Sequence, residues 1–391
     1  MTAKSLVLHI GDPKTGTSSI QEVLRSRLYE TAVHVDYTEQ LNSFPLANAL
    51  WDPKKADTRA PRYTRLAAWL AASDADMAVV SAEQFFRVDP TVLHATLNEF
   101  LPDYAQTIRV IAYVRPHASR LLSAYMQRTK AGLFNGDLAT FFDRTKREDL
   151  LIYAPRFQTW RDTFGPRFTL RPMIREHLRD GDVVTDFLDY ALNGAPFTLS
   201  GPVQANASLP LECLIGLREV QGVLTRNAVA TATQHSVGDH ISRTLSRLIG
   251  STGTRLHLPQ DLYQAVKDYC VADAAALDAA FFDLPLMTRA LQEAGQDTVP
   301  NAPDMQAAQC FSPAALTALR QNARKLAANF ERRPLAWTLA NDRETGLRSL
   351  GAGKIPQART AEHIETVDRI LTEIAETIAT ATADMKCAQR K

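Results

Sequence analysis

Apolar positions along this chain gather into short solid runs, separated by longer stretches with helical spacing. Ser5-Leu6-Val7-Leu8-His9-Ile10, Met77-Ala78-Val79-Val80-Ser81 and Ile108-Arg109-Val110-Ile111-Ala112-Tyr113-Val114 are nearly continuous apolar runs. Such runs are expected of strands buried on both faces of a mainly parallel sheet. Phe168-Thr169-Leu170-Arg171-Pro172 reads as a further strand. From Thr17 to Leu28, Ile20, Val23, Leu24 and Leu28 recur at helical spacing. The expected fold class is therefore α/β.

The pattern changes towards the end of the chain. Gly295 to Pro303 holds few apolar residues and two prolines, which reads as a linker. Ser312-Pro313 then opens a helix, with Ser as N-cap and Pro in the first turn. From about Thr360, Ile364, Val367, Leu371, Ile374, Ile378, Ala381 and Met385 alternate spacings of three and four. That stripe suits either a coiled-coil contact, and so a homodimer, or an amphipathic helix lying on its own domain. The expected organisation is one α/β domain over residues 1–291 and a helical extension over 292–391, with a linker at about 292–310.

Candidate chemistry sits at the ends of the strands. Gly11-Asp12-Pro13-Lys14-Thr15-Gly16-Thr17-Ser18 joins the first strand to the first helix. Loop amides and the positive end of a helix dipole converge there on one point, where a phosphate can sit. Lys14 adds a full charge, and Thr15, Thr17 and Ser18 add hydroxyl donors. A Walker loop would place its Lys directly after the last Gly, but here Thr17 follows Gly16 and Lys14 precedes it. The strand ending at Val114 runs into Arg115-Pro116-His117-Ala118-Ser119-Arg120-Leu121-Leu122-Ser123. A guanidinium fork matches phosphate oxygens, and a serine hydroxyl supplies a further donor. Eight residues of unbroken helix would hold Arg115 and Ser123 roughly 12 Å apart, so the pair requires a turn after Arg115.

Lys14-Thr15-Gly16-Thr17 resembles the 5′-phosphosulfate loop of the sulfotransferases, which use 3′-phosphoadenosine-5′-phosphosulfate (PAPS) as sulfuryl donor. Arg115 and Ser123 resemble that family's 3′-phosphate site. The resemblance implies a three-layer α/β/α, P-loop-like domain. It implies that the loop (Pro13, Lys14, Thr15, Gly16, Thr17 and Ser18) holds the phosphosulfate and that Lys14 stabilises the leaving phosphate. Glu83, just past the strand ending at Ser81, matches the position of the family's base. It can equally serve as a carboxylate at a helix N-terminus or as an ion-pair partner of Lys14. No metal is implied. Gly181 to Leu188 resembles a helix of bacterial members, and Leu256 to Leu291 resembles the end of such domains. The loop 201–210 stands where family members close over the donor. It lacks Lys and Arg, so Gln204 and Asn206 can contact the donor, or Ser208 can simply cap the next helix. Two positions depart from the family pattern. Asp12 brings a negative charge into the loop, and Pro116 follows Arg115 at once where the family has Asn or Asp first.

Composition narrows the alternatives. A net charge of +1 argues against a nucleic-acid partner, and no apolar stretch reaches the ~20 residues of a membrane span. The chain leads straight into its first strand, and its four cysteines are scattered, which fits a cytoplasmic protein with reduced thiols. No His, Cys, Asp and Glu cluster has metal-ligand spacing, and His9 reads as a core residue rather than a ligand. Gly351-Ala352-Gly353-Lys354 follows no apolar strand and reads as a linker. Lys54, Lys55, Arg59, Arg62 and Arg65 form a basic run that either attracts a polyanionic acceptor or is a solvated surface. Phe44, Trp51, Phe85, Phe86 and Phe134 suit either a ring-shaped acceptor or the core. The expected function is sulfuryl transfer to a hydroxyl, on a carbohydrate or glycolipid by family likeness. The alternatives are a P-loop kinase or NTPase, and a non-catalytic nucleotide-binding scaffold.

Overall fold

The computed structural model describes residues 5–38, 42–201, 209–250, 253–333, 335–344 and 359–389. The chain divides into two compact units, each assembled from separated segments: residues 1–120, 150–206 and 267–293 in the first, and 121–149, 207–266 and 294–391 in the second.

Among the described residues the first unit contains seven strands: β1 (Ser5–His9), β2 (Tyr29–Thr31), β3 (Val35–Tyr37), β4 (Met77–Ser81), β5 (Arg109–Val114), β6 (Phe168–Pro172) and β7 (Phe197–Leu199). Five form one parallel sheet in the order β3-β4-β1-β5-β6. The apolar runs read from the sequence are its four longest strands. β1 lies at the centre, with Val7 beside Val79 and Arg109, and His9 beside Ser81 and Ile111. The short edge strand β3 and the antiparallel pair β2–β7 have no apolar run that would announce them.

Alternation along the strands sends side chains to both faces. Val7, Val79, Ile111 and Tyr113 pack with Ile20, Val23 and Leu24 of the helix Thr17–Ser26 and with Val183, Val184 and Phe187 of the helix Val183–Ala191. On the other face Leu6, Leu8 and Val80 meet Leu46, Tyr63, Leu66, Leu93 and Leu97. The chain leaves β1 towards the β3 edge and leaves β5 towards β6. Their carboxyl ends therefore flank a topological switch point, where open α/β sheets bind ligands.

The second unit is helical. Its core joins Leu217, Val220 and Leu224 of the helix Leu211–Arg226 to Val237 and Ile241 of the helix Thr231–Ile249. Leu319 and Leu326 come from the helix Pro313–Arg332, and Val367, Leu371, Ile374 and Ile378 from the helix Arg359–Gln389. Ser312 caps the third of these by accepting from the Ala315 amide, with Pro313 in the first turn.

The two units divide the chain differently from the expected boundary near residue 291. Segments 121–149 and 207–266 group with 294–391; the helices Leu211–Arg226 and Thr231–Ile249 share one apolar core with the C-terminal helices. The expected linker is also built in: Val299 donates to the Leu258 carbonyl, and Gln260 donates to that of Val299. Gln204, Asn206, Ser208 and Gly351 to Lys354 lie outside the described residues. No helix among the described residues is long and apolar enough to cross a membrane.

Val367, Leu371, Ile374 and Ile378 of the stripe on the last helix are thus buried inside their own unit. We expect Ile374→Ala to cost about 2–5 kcal/mol in urea unfolding, the usual penalty of a buried cavity. Sedimentation should show the same oligomeric state as the wild type. A change of oligomeric state with unaltered stability would return the stripe to an interchain seam.

Candidate functional site

β1 ends beneath a loop with three residues at positive φ, Gly11, Lys14 and Gly16. Lys14 has φ 73° and Gly16 has φ 82°, the latter capping the helix Thr17–Ser26. Gly16 is suited to that backbone, whereas Lys14 is strained by it. Close approach also demands glycine. A Cβ on Gly16 would stand 2.5 Å from Val183 Cγ1, and one on Gly11 2.7 Å from Thr17 Oγ1.

Thr17 is the informative hydroxyl. It is buried, at 4% exposure, and its Oγ1 has no hydrogen-bond partner. Leaving such a group unpaired costs about 1–3 kcal/mol, so the loop contains an unfilled donor. The amides of Ser19 and Ile20 turn back to the Gly16 carbonyl. Those of Thr17 and Ser18 stand ahead of them, among the orphan donors that open every helix. Ser18 is exposed at this end, and Pro13 is half-buried. The Thr15 hydroxyl is engaged within the loop, which it braces by donating to the Asp12 carbonyl at 2.6 Å.

Asp12 does not face an incoming anion. Its buried carboxylate accepts from Arg120 Nε at 3.3 Å and from Arg156 Nη2 at 2.6 Å. The negative charge that departs from the family pattern is thereby neutralised inside the protein. Arg156 rides on the helix Ala154–Phe164, and the amides of Tyr153 and Ala154 at its start donate to Asp273 Oδ1. The other oxygen of Asp273 meets His117 Nε2 at 2.9 Å, and the His117 ring stacks on Tyr153 at 4.7 Å. Nothing in the spacing of Arg120, Arg156 and Asp273 announces this support, because its members lie far apart in the chain.

Arg115 lies at the carboxyl end of β5. Its Nη1 donates to the Lys14 carbonyl at 3.1 Å, and its Nε donates to Ser119 Oγ at 3.3 Å. The two sequence motifs therefore meet. The helix starts at His117 without delay, with the Arg120 amide on the Pro116 carbonyl, so the first turn brings Ser119 to the guanidinium. Ser123 lies one turn farther on, buried, in the segment assigned to the second unit.

Glu83 opens a turn of 3-10 helix, Glu83–Arg87, directly after β4. Burial raises its pKa above the usual carboxylate range, while Lys14 and Arg120 pull it down and Asp12 adds to the rise. It thus shares one electrostatic environment with Lys14. His9 sits below, with its Nδ1 2.9 Å from Ser81 Oγ, and Gln21 donates to the same hydroxyl at 3.1 Å. Burial lowers the His9 pKa to about 3, so it is an uncharged core residue. Among the described residues no group of three or more His, Cys, Asp and Glu side chains is placed to hold a metal ion.

Comparison with protein-family models, with curated proteins and with solved structures finds no match to this chain. The site is therefore read from its own geometry.

The Asp12 bridge yields a test. Asp12→Asn keeps the shape but leaves two largely buried guanidinium groups without their carboxylate. We expect a loss of about 2–4 kcal/mol in denaturant unfolding, discounted for the partial exposure of Arg156. A loss below about 0.5 kcal/mol would show that the bridge does not anchor the loop.

Proposed function

We propose that this chain is a sulfotransferase on a P-loop-like fold, moving the sulfuryl group of PAPS to an acceptor hydroxyl. The observation that carries the reading is the 3.1 Å contact between Arg115 and the Lys14 carbonyl. It unites a loop built for one anion with a guanidinium suited to a second, at the switch point of the sheet. A donor with a phosphosulfate at one end of its ribose and a phosphate at the other has that pair of charges. The unfilled Thr17 hydroxyl fits an anion in the loop.

In this reading the amides of residues 14–18 and the Thr17 hydroxyl bind the phosphosulfate, with Pro13 shaping the loop and Ser18 at the rim. Arg115 binds the 3′-phosphate, and Ser119 orients its guanidinium. Glu83 accepts the proton of the acceptor hydroxyl as the acceptor oxygen bonds to sulfur. The bond from sulfur to its bridging oxygen breaks, and both of its electrons leave with adenosine 3′,5′-bisphosphate. Lys14 stabilises the charge that develops on that oxygen. Carbohydrate and glycolipid hydroxyls are the acceptors we would try first.

The test is transfer of radiolabelled sulfate from PAPS to a panel of hydroxylated acceptors. Lys14→Ala should lower kcat by about 10²–10³-fold, the usual effect of losing one transition-state donor. Glu83 must be ionised to act, so its raised pKa moves the acid limb of kcat/KM above the ordinary carboxylate range. Glu83→Gln should remove that limb along with most of the rate. Magnesium-dependent transfer or hydrolysis of the ATP γ-phosphate, with no use of PAPS, would replace this reading by a kinase or NTPase.

A further inference from the structure

The turn that carries Glu83 also carries Phe86 and Arg87, and it sets Arg87 over an aromatic ring of a neighbouring helix. The Arg87 guanidinium lies over the Trp51 ring at 4.9 Å and over the Phe86 ring at 5.1 Å. Arg156 approaches Phe86 at 5.6 Å while holding Asp12. Trp51 is itself fixed, because its Nε1 donates to Asn48 Oδ1 at 3.0 Å. The helix Phe44–Trp51 is tied to the end of β4 through the Ser43 amide and the Ser81 carbonyl, at 2.8 Å.

Arg87 is exposed, and among the described residues no ion pair or hydrogen bond engages its guanidinium. A guanidinium carries five N–H donors, so contact with two rings leaves donors for a two-pronged bond to a carboxylate. The neighbouring cations are already committed. Asp12 neutralises Arg120 and Arg156, and the proposed chemistry uses Lys14. The basic run is largely engaged too, with Lys55 on Asp52, Arg59 on Glu99 and Arg62 on the Pro45 carbonyl. Among the described residues Arg87 thus stands on the base's own turn as a cation with no ion pair or hydrogen bond.

Resting on the sulfotransferase reading, we propose that Arg87, held between Trp51 and Phe86, selects an acceptor that carries a carboxylate near its reacting hydroxyl. The acceptor carboxylate takes the in-plane donors of Arg87, and its hydroxyl is delivered to Glu83 on the same turn. Sugar acids and hydroxybenzoates share this chemistry. The pairing also keeps the acceptor's charge from opposing ionisation of Glu83, since Arg87 acts on both.

The experiment compares wild type, Arg87→Ala and Arg87→Lys as full chains, with PAPS as donor. The acceptors are a methyl glucuronoside against its glucoside, and 4-hydroxybenzoate against 4-hydroxybenzyl alcohol. Binding of adenosine 3′,5′-bisphosphate is measured alongside. We expect kcat/KM to favour an acid over its neutral twin by about 10- to 100-fold, the effect of a charged hydrogen-bonded pair. Arg87→Ala should bring the ratio close to one, chiefly through KM, with bisphosphate binding retained. Arg87→Lys should restore part of it. Whichever pair shows the preference identifies the source of the carboxylate. Equal rates for acid and neutral twin, with bisphosphate still bound, would overturn the selectivity and leave the sulfotransferase reading standing. Failure to bind bisphosphate would overturn both. If no acceptor turns over, titration of the two acids into the bisphosphate complex decides, and acid binding that Arg87→Ala does not weaken overturns the proposal.

Discussion

A carboxylate in the interior must be paired, and the pairing of Asp12 organises everything around the first loop. Asp12 draws Arg120 from the start of one helix and Arg156 from another onto the segment between β1 and its helix. Its own carbonyl receives the Thr15 hydroxyl, so one residue fixes both the outer supports and the inner turn. The loop can then hold Lys14 in a left-handed conformation that an isolated chain would avoid. Strain of this kind persists only where surrounding contacts determine the backbone. Here the Lys14 carbonyl is further gripped by Arg115.

From this anchoring follows the division of charge at the sheet edge. Two of the nearby guanidinium groups, those of Arg120 and Arg156, serve the structure by pairing with Asp12. Lys14 belongs to the loop, Arg115 to the end of β5, and Arg87 to the turn that follows Glu83. Glu83 lies in the field of Lys14, Arg120 and Arg87, and burial favours its protonated form. The uncharged layer beneath, with His9, Ser81 and Gln21, keeps the floor of the site rigid without adding charge.

The central strands and the first helix are legible in the sequence because burial on both faces writes a solid apolar run, and one-sided burial writes a period near 3.6. Those signals locate β1, β4, β5 and β6 and hence the edge at which Lys14, Glu83 and Arg115 meet. The strands β2, β3 and β7 are three residues each and largely half-exposed, so no pattern marks them. The role of Asp12 is invisible for a different reason. A charge in a loop looks adverse until its partners 108 and 144 positions away are known. Family likeness points to Ser123, whereas Pro116 sets the helix directly behind Arg115 and makes Ser119, in the first turn, the near hydroxyl. The interleaving of the two units leaves no mark in the sequence either. An amphipathic helix shows that it has a covered face, not which segment covers it.

The central claim is that the meeting of Arg115 with the Lys14 loop forms a site for two anions of one nucleotide. Isothermal titration of adenosine 3′,5′-bisphosphate tests it most directly, against AMP and against ATP with magnesium, on wild type, Arg115→Ala and Thr17→Val. The bisphosphate should bind tightly and in preference to both controls. Arg115→Ala should reduce binding to the level of AMP, and Thr17→Val should weaken bisphosphate and AMP alike. Equal binding of AMP and bisphosphate by wild type, or a preference for ATP with magnesium, would contradict it.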